Sequence, residues 1–209
     1  MGRPFARSAL VGPPETVARG LIGAVISATT PDGEVAIRLT EVEAYAGDSD
    51  PGSHAFRGPT PRTAVMFGSP GHAYVYFTYG THWCLNIVCQ PDGVAGGVLL
   101  RAGDVVAGRA VAASRRAAVR AGSQPLSDAA LARGPANLAK ALGIDGTWGG
   151  HDLLDPTSTL RLERGHRVAP DLIASGPRVG LRQAANRPWR FWVAGDPTVS
   201  LYRPAKKRH

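Results

Sequence analysis

The sequence predicts an α+β protein organised around an antiparallel or mixed β-sheet. Residues 35–45, VAIRLTEVEAY, alternate as the residues of a β-strand do. Residues 71–90, GHAYVYFTYGTHWCLNIVCQ, hold two runs rich in aromatic and β-branched side chains on either side of a glycine-bearing break, which is typical of a β-hairpin. Residues 104–143 have the composition of helices instead. These three stretches together favour a sheet flanked by helices.

A helix is predicted near the start of the chain. Pro13-Pro14-Glu15 supplies proline and an acid, which suit a first helical turn. Val17, Leu21 and Val25 then recur at roughly helical spacing. We expect this helix to pack against the sheet.

The strand over residues 35–45 carries potential chemistry. Alternation projects Glu41, Glu43 and Tyr45 from one face, so carboxylates and an aromatic ring share a surface. The next segment, AGDSDPGSHAFRGPTPR, is too rich in Gly, Pro, Asp and Ser to be regular, and we expect a loop beside the strand. The loop brings three further side chains near Glu43, namely His54, Arg57 and Arg62.

The predicted hairpin is followed by a third strand. Tyr79 stands at or near the hairpin tip, because Tyr79-Gly80-Thr81 forms the break. Pro91-Asp92-Gly93 is another turn, after which VAGGVLLRA returns as a strand with Arg101 at its far end. The three strands therefore form a meander.

The helical region has two candidate helix starts, Ser127 and Gly134-Pro135. It also holds a basic cluster, Arg115, Arg116 and Arg120. A solvated helix face is the commoner explanation of such a cluster, and contact with phosphate is the alternative. Beyond this region, short apolar runs between turns, RFWV among them, predict strands that complete the sheet.

Charge indicates a polyanionic partner. The formal net charge is +8, which favours nucleic acid first and an anionic membrane surface second. Only three of the 24 basic residues are lysine, and arginine suits bidentate contact with phosphate. GC-rich codon usage is the alternative explanation for so much Arg, Ala and Gly.

Several protein classes are disfavoured. No apolar run approaches the ~18 to 20 residues that a membrane span needs, and the N-terminus lacks the apolar centre of a secretory signal. We therefore expect a soluble cytoplasmic protein, associated with the nucleoid if the source is bacterial. Cys84 and Cys89 should face opposite ways along one strand and stay unpaired. The histidines are scattered, so no metal site and no cofactor are expected.

Six motifs in the same order closely resemble the alkyladenine, or 3-methyladenine, DNA glycosylase family: TEVEAYAGDSDPGSHAFRG, TPRTAVMF, GHAYVYFTYGTHWCLNIV, GVLLRA, RGPANLAKALGI and RPWRFWVAGDPTVS. The resemblance implies a glycosylase domain over residues 18–200, preceded by an N-terminal arm, 1–17, and followed by a basic tail, 201–209. It implies a single domain with a curved, mostly antiparallel sheet and a protruding β-hairpin, flanked by α-helices. It also implies a monomeric, monofunctional enzyme that releases alkylated or deaminated purines from double-stranded DNA in base excision repair.

The resemblance assigns catalysis to three positions. Glu43 stands where the family has its general base, and Arg101 stands where the family helps to hold the attacking water. The backbone carbonyl near Val193 is expected as a third anchor for that water. The chemistry needs these groups, because cleavage develops positive charge at the sugar, which a carboxylate stabilises while it takes a proton from water. No lysine falls in the segment that carries Glu43 and Arg101, so a Schiff-base mechanism is not expected.

The resemblance also assigns the recognition of the base. Tyr45, His54 and Tyr76 match the side chains that line the base pocket, and Asn86 matches its steric gate. Tyr79 matches the residue that enters the duplex and fills the space left by the flipped nucleotide. A cationic alkylated purine between Tyr and His rings gains roughly 0.5 to 2 kcal/mol from the ring quadrupoles.

Contacts with the rest of the duplex are less defined. Arg57 and Arg62 are candidates for contact with the DNA backbone. Thr81 and His82 stand where some relatives carry larger apolar or aromatic groups, so the residues around the inserted Tyr79 differ here.

Alternatives remain at the level of residues and of function. Taken singly, the tyrosines are ordinary sheet aromatics, Glu43 an exposed strand acid and His54 a loop histidine. We expect four other polar residues to be structural or to lie at the surface: Glu41, His72, His151 and His166. A non-catalytic protein that marks damaged bases, or a hydrolase or transferase of free nucleotides, stays open as the function. The preferred lesion also stays open.

Overall fold

The computed structural model describes residues 3–78, 80–117 and 125–205. Within these ranges the chain forms one sheet of ten strands and three α-helices. The strands are β1 (Arg3–Pro4), β2 (Val25–Thr30), β3 (Gly33–Tyr45), β4 (Ala73–Thr78), β5 (His82–Val88), β6 (Gly97–Ala107), β7 (Ala132–Arg133), β8 (Leu160–Arg164), β9 (Ile173–Gly176) and β10 (Arg190–Val193). The helices are α1 (Pro14–Leu21), α2 (Arg109–Ala117) and α3 (Pro135–Leu142).

The long strand β3 is the centre of the sheet. Along one edge β2 pairs with its first half and β10 with its second half, while β6 follows the other edge. The sheet continues from β6 through β5 to β4, and from β2 through β8 to β1. Every strand pairing among the described residues is antiparallel.

The sheet curls because β3 is irregular where it pairs with β6. The register shifts between Ala36 and Ile37, and shifts again on both sides of Glu41. Such bulges bend a strand and increase its twist. The result is a half-barrel, which confirms the predicted single α+β domain with a curved, mostly antiparallel sheet.

The helices close the sheet over an apolar core. α1 lies against β3, α3 packs on β5, β6 and β7, and α2 packs on α3. The predicted first helix is confirmed, but it ends at Leu21, and Val25 belongs to β2, because the chain turns at Gly23 with a φ of +86°. α3 begins at Pro135 as predicted. Ser127 precedes only a short 3₁₀ turn.

The third strand of the meander is longer than the sequence predicted. β6 runs to Ala107, so Arg101 lies near its middle and residues 104–107 are not helical. Gly103 lies inside β6, where it allows a close approach to β3. A Cβ there would lie 2.4 Å from the carbonyl oxygen of Arg38 on β3. A glycine inside a strand often marks such a contact between backbones.

Some features of the ends and turns stay predictions. β4 and β5 pair on either side of residues 79–81, but Tyr79 lies outside the described residues, so the protrusion of the hairpin is not tested. β1 pairs with β8, and α1 spans the boundary predicted between residues 17 and 18. The division into arm, domain and tail therefore remains a prediction. Arg120 also lies outside the described residues.

No helix in the described part of the chain combines the length and apolar character that crossing a bilayer requires. In the same ranges no group of three or more His, Cys, Asp or Glu side chains is arranged to hold a metal ion.

Candidate functional site

A cavity of about 330 Å³ lies where β3, β4, β5 and β6 meet the first turn of α3. Its size falls within the range of roughly 300 to 1,000 Å³ that small-molecule pockets occupy. The loop after β3 and residues 179–181 complete its wall. Six residues that the sequence singled out line it together: Glu43, Tyr45, His54, Tyr76, Asn86 and Arg101.

Glu43 is fully buried, and its carboxylate is fixed from three sides. Oε1 accepts a hydrogen bond from the backbone N–H of Val179 at 2.7 Å. Oε2 accepts one from the Tyr45 hydroxyl at 2.8 Å and lies 3.2 Å from Nη1 of Arg101. A carboxylate offers about four acceptor positions. One position therefore remains for a water molecule in the cavity.

Arg101 joins Glu43 to a second buried carboxylate, Glu41. Its Nε donates to Oε1 of Glu41 at 2.7 Å, while Nη1 approaches Glu43. Burial opposes the charge of Arg101, but the carboxylates of Glu43 and Glu41 outweigh it and raise the pKa of Arg101 above its usual value. The guanidinium is therefore a permanent positive charge at the cavity.

Glu41 is completely buried and accepts several hydrogen bonds, so of the two positions expected for it, structural or surface, it takes the structural one. Its Oε1 accepts from Nε of Arg101 and Nε of Arg190, each at 2.7 Å, and from the Ser200 hydroxyl at 2.9 Å. Its Oε2 accepts from the Ser200 backbone N–H at 2.7 Å. Burial opposes ionisation, yet the charges of Arg101 and Arg190 prevail and lower the pKa of Glu41.

Aromatic rings form part of the cavity wall. Tyr74 and Tyr76 stack with their centroids 5.5 Å apart. The His54 ring stands nearly perpendicular to Tyr76 at 4.5 Å, and its Nδ1 lies 3.1 Å from the Tyr74 hydroxyl. Together with Tyr45, these rings make a lining that suits a flat, polarisable ring system.

The aromatic wall is electrically neutral near pH 7. Burial raises the pKa of Tyr45, Tyr74 and Tyr76 above the usual value. His54 lines the cavity and is exposed to solvent on one side, but loss of water around part of its ring and the charge of Arg62 lower its pKa from 6.5 to about 4. A cationic ligand would therefore meet no positive charge from the imidazole.

Asn86 enters the cavity from β5 with its amide held in place. Its Nδ2 donates to the Tyr74 carbonyl oxygen at 3.0 Å, and the residue is 5% exposed. β4 and β5 place Tyr74 and Asn86 directly opposite each other. The amide therefore narrows the cavity at a fixed point.

A second buried ion pair, Asp50–Arg178, packs against Tyr45 and lies next to the backbone N–H that binds Glu43. Both amino nitrogens of the Arg178 guanidinium donate to Asp50, at 2.5 and 2.8 Å, and Nη1 also donates to the Ala44 carbonyl oxygen. The guanidinium carbon lies 4.7 Å from the centroid of the Tyr45 ring. Because Val179 follows Arg178, this pair also fixes the backbone N–H that reaches Glu43. We call the Asp50–Arg178 pair the latch.

A larger groove of about 660 Å³ adjoins the cavity and shares His82 and Ala136 with it. Cationic side chains from α2 and α3 line this groove, namely Arg115, Arg116 and Lys140. No carboxylate occurs among its described lining residues. Arg115 is itself paired with Asp32 at 2.8 Å. We call this feature the basic groove.

The two cysteines differ in their surroundings. Both are buried and unpaired, as predicted. Cys84 lines the cavity beside Tyr76, whereas Cys89 belongs to the apolar core. Burial raises the pKa of both thiols, that of Cys89 to about 12.

The structure does not gather every residue that the sequence singled out. Val193 does not line the cavity, since it lies opposite Ile173 on β9 and its carbonyl oxygen accepts from the Asp196 N–H at 3.3 Å. Arg57 and Arg62 are exposed outside the cavity lining, and Tyr79 lies outside the described residues.

Sequence reasoning missed Val179, Arg178 and Asp50. The Val179 contact uses a backbone donor, which leaves no signature in the side-chain pattern. The latch joins residues 128 positions apart, and a lone Asp and a lone Arg in irregular segments give no local signal that they pair.

Comparison with known proteins gives consistent matches. The family model described as Methylpurine-DNA glycosylase (MPG) matches residues 8–197. A protein of Streptomyces avermitilis with the provisional name 3-methyladenine DNA glycosylase is 49% identical over 210 residues, covering 98% of this chain and 96% of its own. A protein of Nocardia farcinica with the same provisional name is 50% identical over 199 residues, covering 93% of this chain and 89% of its own.

Proposed function

The chain belongs to the methylpurine-DNA glycosylase family, and from this premise we propose that it rotates a damaged purine nucleotide out of duplex DNA and hydrolyses its N-glycosidic bond. The observation that carries the proposal is the buried Glu43 carboxylate, held by three donors at the wall of a cavity with an aromatic lining. The substrates are alkylated or deaminated purines of the 3-methyladenine, 7-methylguanine, hypoxanthine and ethenoadenine type. No cofactor takes part, and the protein acts as a monomer in the cytoplasm.

Recognition rests on the neutral aromatic wall. A purine methylated on a ring nitrogen is cationic, and Tyr45, Tyr74 and Tyr76 line the cavity with neutral rings whose faces attract a cation. Such contacts stabilise a cation by roughly 0.5 to 2 kcal/mol. The neutral imidazole of His54 adds a fourth ring to this wall. Charge therefore distinguishes an alkylated base from a normal one in addition to shape.

Hydrolysis follows from the fixed carboxylate. As the C1′–N bond lengthens, its electron pair leaves with the base and positive charge develops on the sugar, which Glu43 stabilises. Water forms the new C1′–O bond and gives its proton to Glu43. Arg101 holds the carboxylate and the water in place. No lysine occurs among the described residues that line the cavity, which supports a water nucleophile and a product strand that stays intact.

The duplex requires further contacts. A base inside the stack is unreachable, so the nucleotide must leave it at a cost of a few kcal/mol. Tyr79, which falls between β4 and β5 in the sequence, fills the vacated space. Lys140 and Arg116 of the basic groove hold phosphates of the flanking DNA, and Arg57 and Arg62 contact the backbone near the cavity mouth.

Substitution of Glu43 by Gln tests the proposal. The amide keeps the shape of the side chain and loses the negative charge and the basicity. Incubation with duplexes that each hold one lesion, followed by alkaline cleavage of abasic sites, should show base release by the native protein and a loss of at least about a hundredfold in Glu43→Gln.

Binding of the same duplexes separates the alternatives. We expect Glu43→Gln to retain its affinity for lesion duplex. A native protein that binds lesions and releases no base from any of them would be a non-catalytic marker of damage. Release from free nucleotides but not from duplex would indicate an enzyme of nucleotide metabolism.

A further inference from the structure

Four buried charges form one connected group next to the cavity. Glu41 and Glu43 on β3 supply two negative charges, and Arg101 on β6 and Arg190 on β10 supply two positive ones. None of these residues is more than 6% exposed. The group is therefore neutral as a whole, and the removal of any one member changes the charge that the others experience in a poorly solvated place.

The contact of Arg101 with Glu41 is shorter than its contact with Glu43. Its Nε donates to Glu41 at 2.7 Å and its Nη2 donates to the Ser200 hydroxyl at 3.3 Å, so one edge of the guanidinium faces away from Glu43. Only Nη1 approaches Glu43, at 3.2 Å. An arginine and a carboxylate otherwise tend to form two parallel hydrogen bonds. Glu41 and Ser200 engage Nε and Nη2, so Glu43 receives only the remaining nitrogen, Nη1.

We infer that Glu41 is a positioning residue for the proposed base release, because it limits Arg101 to a single contact with Glu43 and thereby leaves the Glu43 carboxylate able to accept a proton from water. The inference rests on the function proposed above. Glu41 itself does not line the cavity, so it acts through Arg101. Ser200 completes this hold, since its backbone and hydroxyl both donate to Glu41.

The other groups around Glu43 do not change this charge balance near neutral pH. Tyr45, Tyr76 and Cys84 are neutral there, because burial raises the pKa of each. His54, which also lines the cavity, is neutral as well. Arg178 is charged, but it is paired with Asp50 in the latch. Among the described residues, the charges that pair with Glu43 directly, or are linked to it through Arg101 and Glu41, are those of Arg101, Glu41 and Arg190.

Glu41→Gln removes one negative charge and keeps the shape of the side chain. Arg101 is then free to close on Glu43 with two hydrogen bonds. The midpoint of the acid limb in the pH profile of single-turnover base release should move to lower pH by about one unit, as a closer opposite charge requires. The rate at pH 7 should fall by about tenfold to a hundredfold. Hypoxanthine duplex is the substrate, because this base is neutral in this pH range.

Arg190→Gln should move the acid-limb midpoint in the opposite direction. It removes the second cation from Glu41, so Arg101 is drawn towards Glu41 and neutralises Glu43 less. The acid-limb midpoint should rise by a similar amount. A purely structural role for this group would lower the folded fraction in both variants and leave both midpoints unchanged.

Glu34→Gln is the matched control. Glu34 lies on the same strand β3, but it pairs with Arg161 near the surface and does not contact Arg101. Its rate and midpoint should match those of the native protein, and the folded state of every variant is checked by circular dichroism and thermal unfolding.

The outcomes separate this inference from the proposed function. Opposite displacements of the two midpoints support the inference, whereas unchanged midpoints or displacements in one direction overturn it. If Glu41→Gln does not fold, Arg190→Gln decides alone, and a midpoint that fails to rise overturns the inference. Normal base release by Glu43→Gln would instead refute the proposed role of Glu43.

Discussion

Asn86 narrows the cavity with a single fixed amide. Its hydrogen bond to the Tyr74 carbonyl oxygen prevents the side chain from turning aside when a base enters. A guanine carries an exocyclic amine that hypoxanthine lacks, and we propose that this amine collides with Asn86. Exclusion by collision is a common source of specificity.

Asn86→Ser should therefore increase the release of normal guanine from undamaged duplex by about tenfold or more, which is the usual effect of one group in a tight pocket. Release of hypoxanthine should change little in the same variant. Quantification of both free bases by mass spectrometry measures the ratio. A variant that excises hypoxanthine and releases no additional guanine would show that Asn86 does not exclude guanine from the cavity.

His54 gives a pH dependence that can be measured directly. Its pKa is lowered from 6.5 to about 4, so the fold favours the neutral ring. The unfolded chain binds this proton more readily, so the stability that this group contributes is complete above about pH 6.5 and is lost as the pH falls towards 4. NMR titration should show a midpoint near 4 for the signal that disappears in His54→Gln. A midpoint near 6.5 would contradict the neutral wall.

The latch ties together two irregular segments, the loop after β3 and the segment after β9. Asp50 and Arg178 are both completely buried. Removal of one member therefore leaves the charge of the other buried and unpaired. Asp50→Asn should lower the free energy of unfolding by about 3 to 5 kcal/mol in urea titrations. Base release should also slow, because Val179 loses its fixed position at Glu43.

Asp152→Asn is the control for the latch. Asp152 pairs with Arg7 in a partly exposed position, so the same change there should cost about 1 kcal/mol or less. A double replacement of the latch by apolar side chains should recover much of the lost stability, since no charge is then left unpaired. Equal losses in the single and double variants would show that the ion pair is not what holds these segments.

The elements differ in how well the sequence predicted them. β3 was predicted because its alternation is long, and α3 because Gly134-Pro135 marks its start. The burial of Glu41 was not predicted, because alternation shows which side chains share a face and not whether another segment covers that face. Here β10 and Ser200 cover it. The end of the first helix was placed too late because the chain turns at Gly23, and β6 was predicted too short because residues 104–107 have a helical composition but continue the strand.

The cavity residues were predicted as a set mainly through the family motifs, since each residue alone has an ordinary explanation. Glu43, Tyr45 and Arg101 come from strands that the pattern identifies, and strand pairing then brings them together. Val193 was expected at the cavity, but the register places Arg190 opposite Glu43, which leaves Val193 three positions further along β10. Register depends on tertiary pairing, and local sequence does not specify it.

For the whole molecule, the net charge of +8 predicts strong salt dependence of DNA binding. The basic groove beside the cavity is the part of the described surface that we propose for phosphate contact. Lys140→Gln should weaken binding and reduce the slope of log K against log salt concentration by about 0.9, the value for one lost phosphate contact. Fluorescence anisotropy across a salt series measures both quantities.

Arg167→Gln is the charge-matched control, because Arg167 lines a different cavity together with Glu15 and Arg19. Its slope should equal that of the native protein. Equal slopes for Lys140→Gln and the native protein would place the phosphate contacts elsewhere.

The two buried thiols have a consequence for the conditions under which this protein works. Agents that methylate purines are electrophiles, and they attack thiolates much faster than thiols. Cys84 and Cys89 are held as thiols by burial, and neither is accessible at the surface. In a cell exposed to such agents, these two sulfur atoms should therefore react more slowly than exposed thiolates while the same agents damage bases.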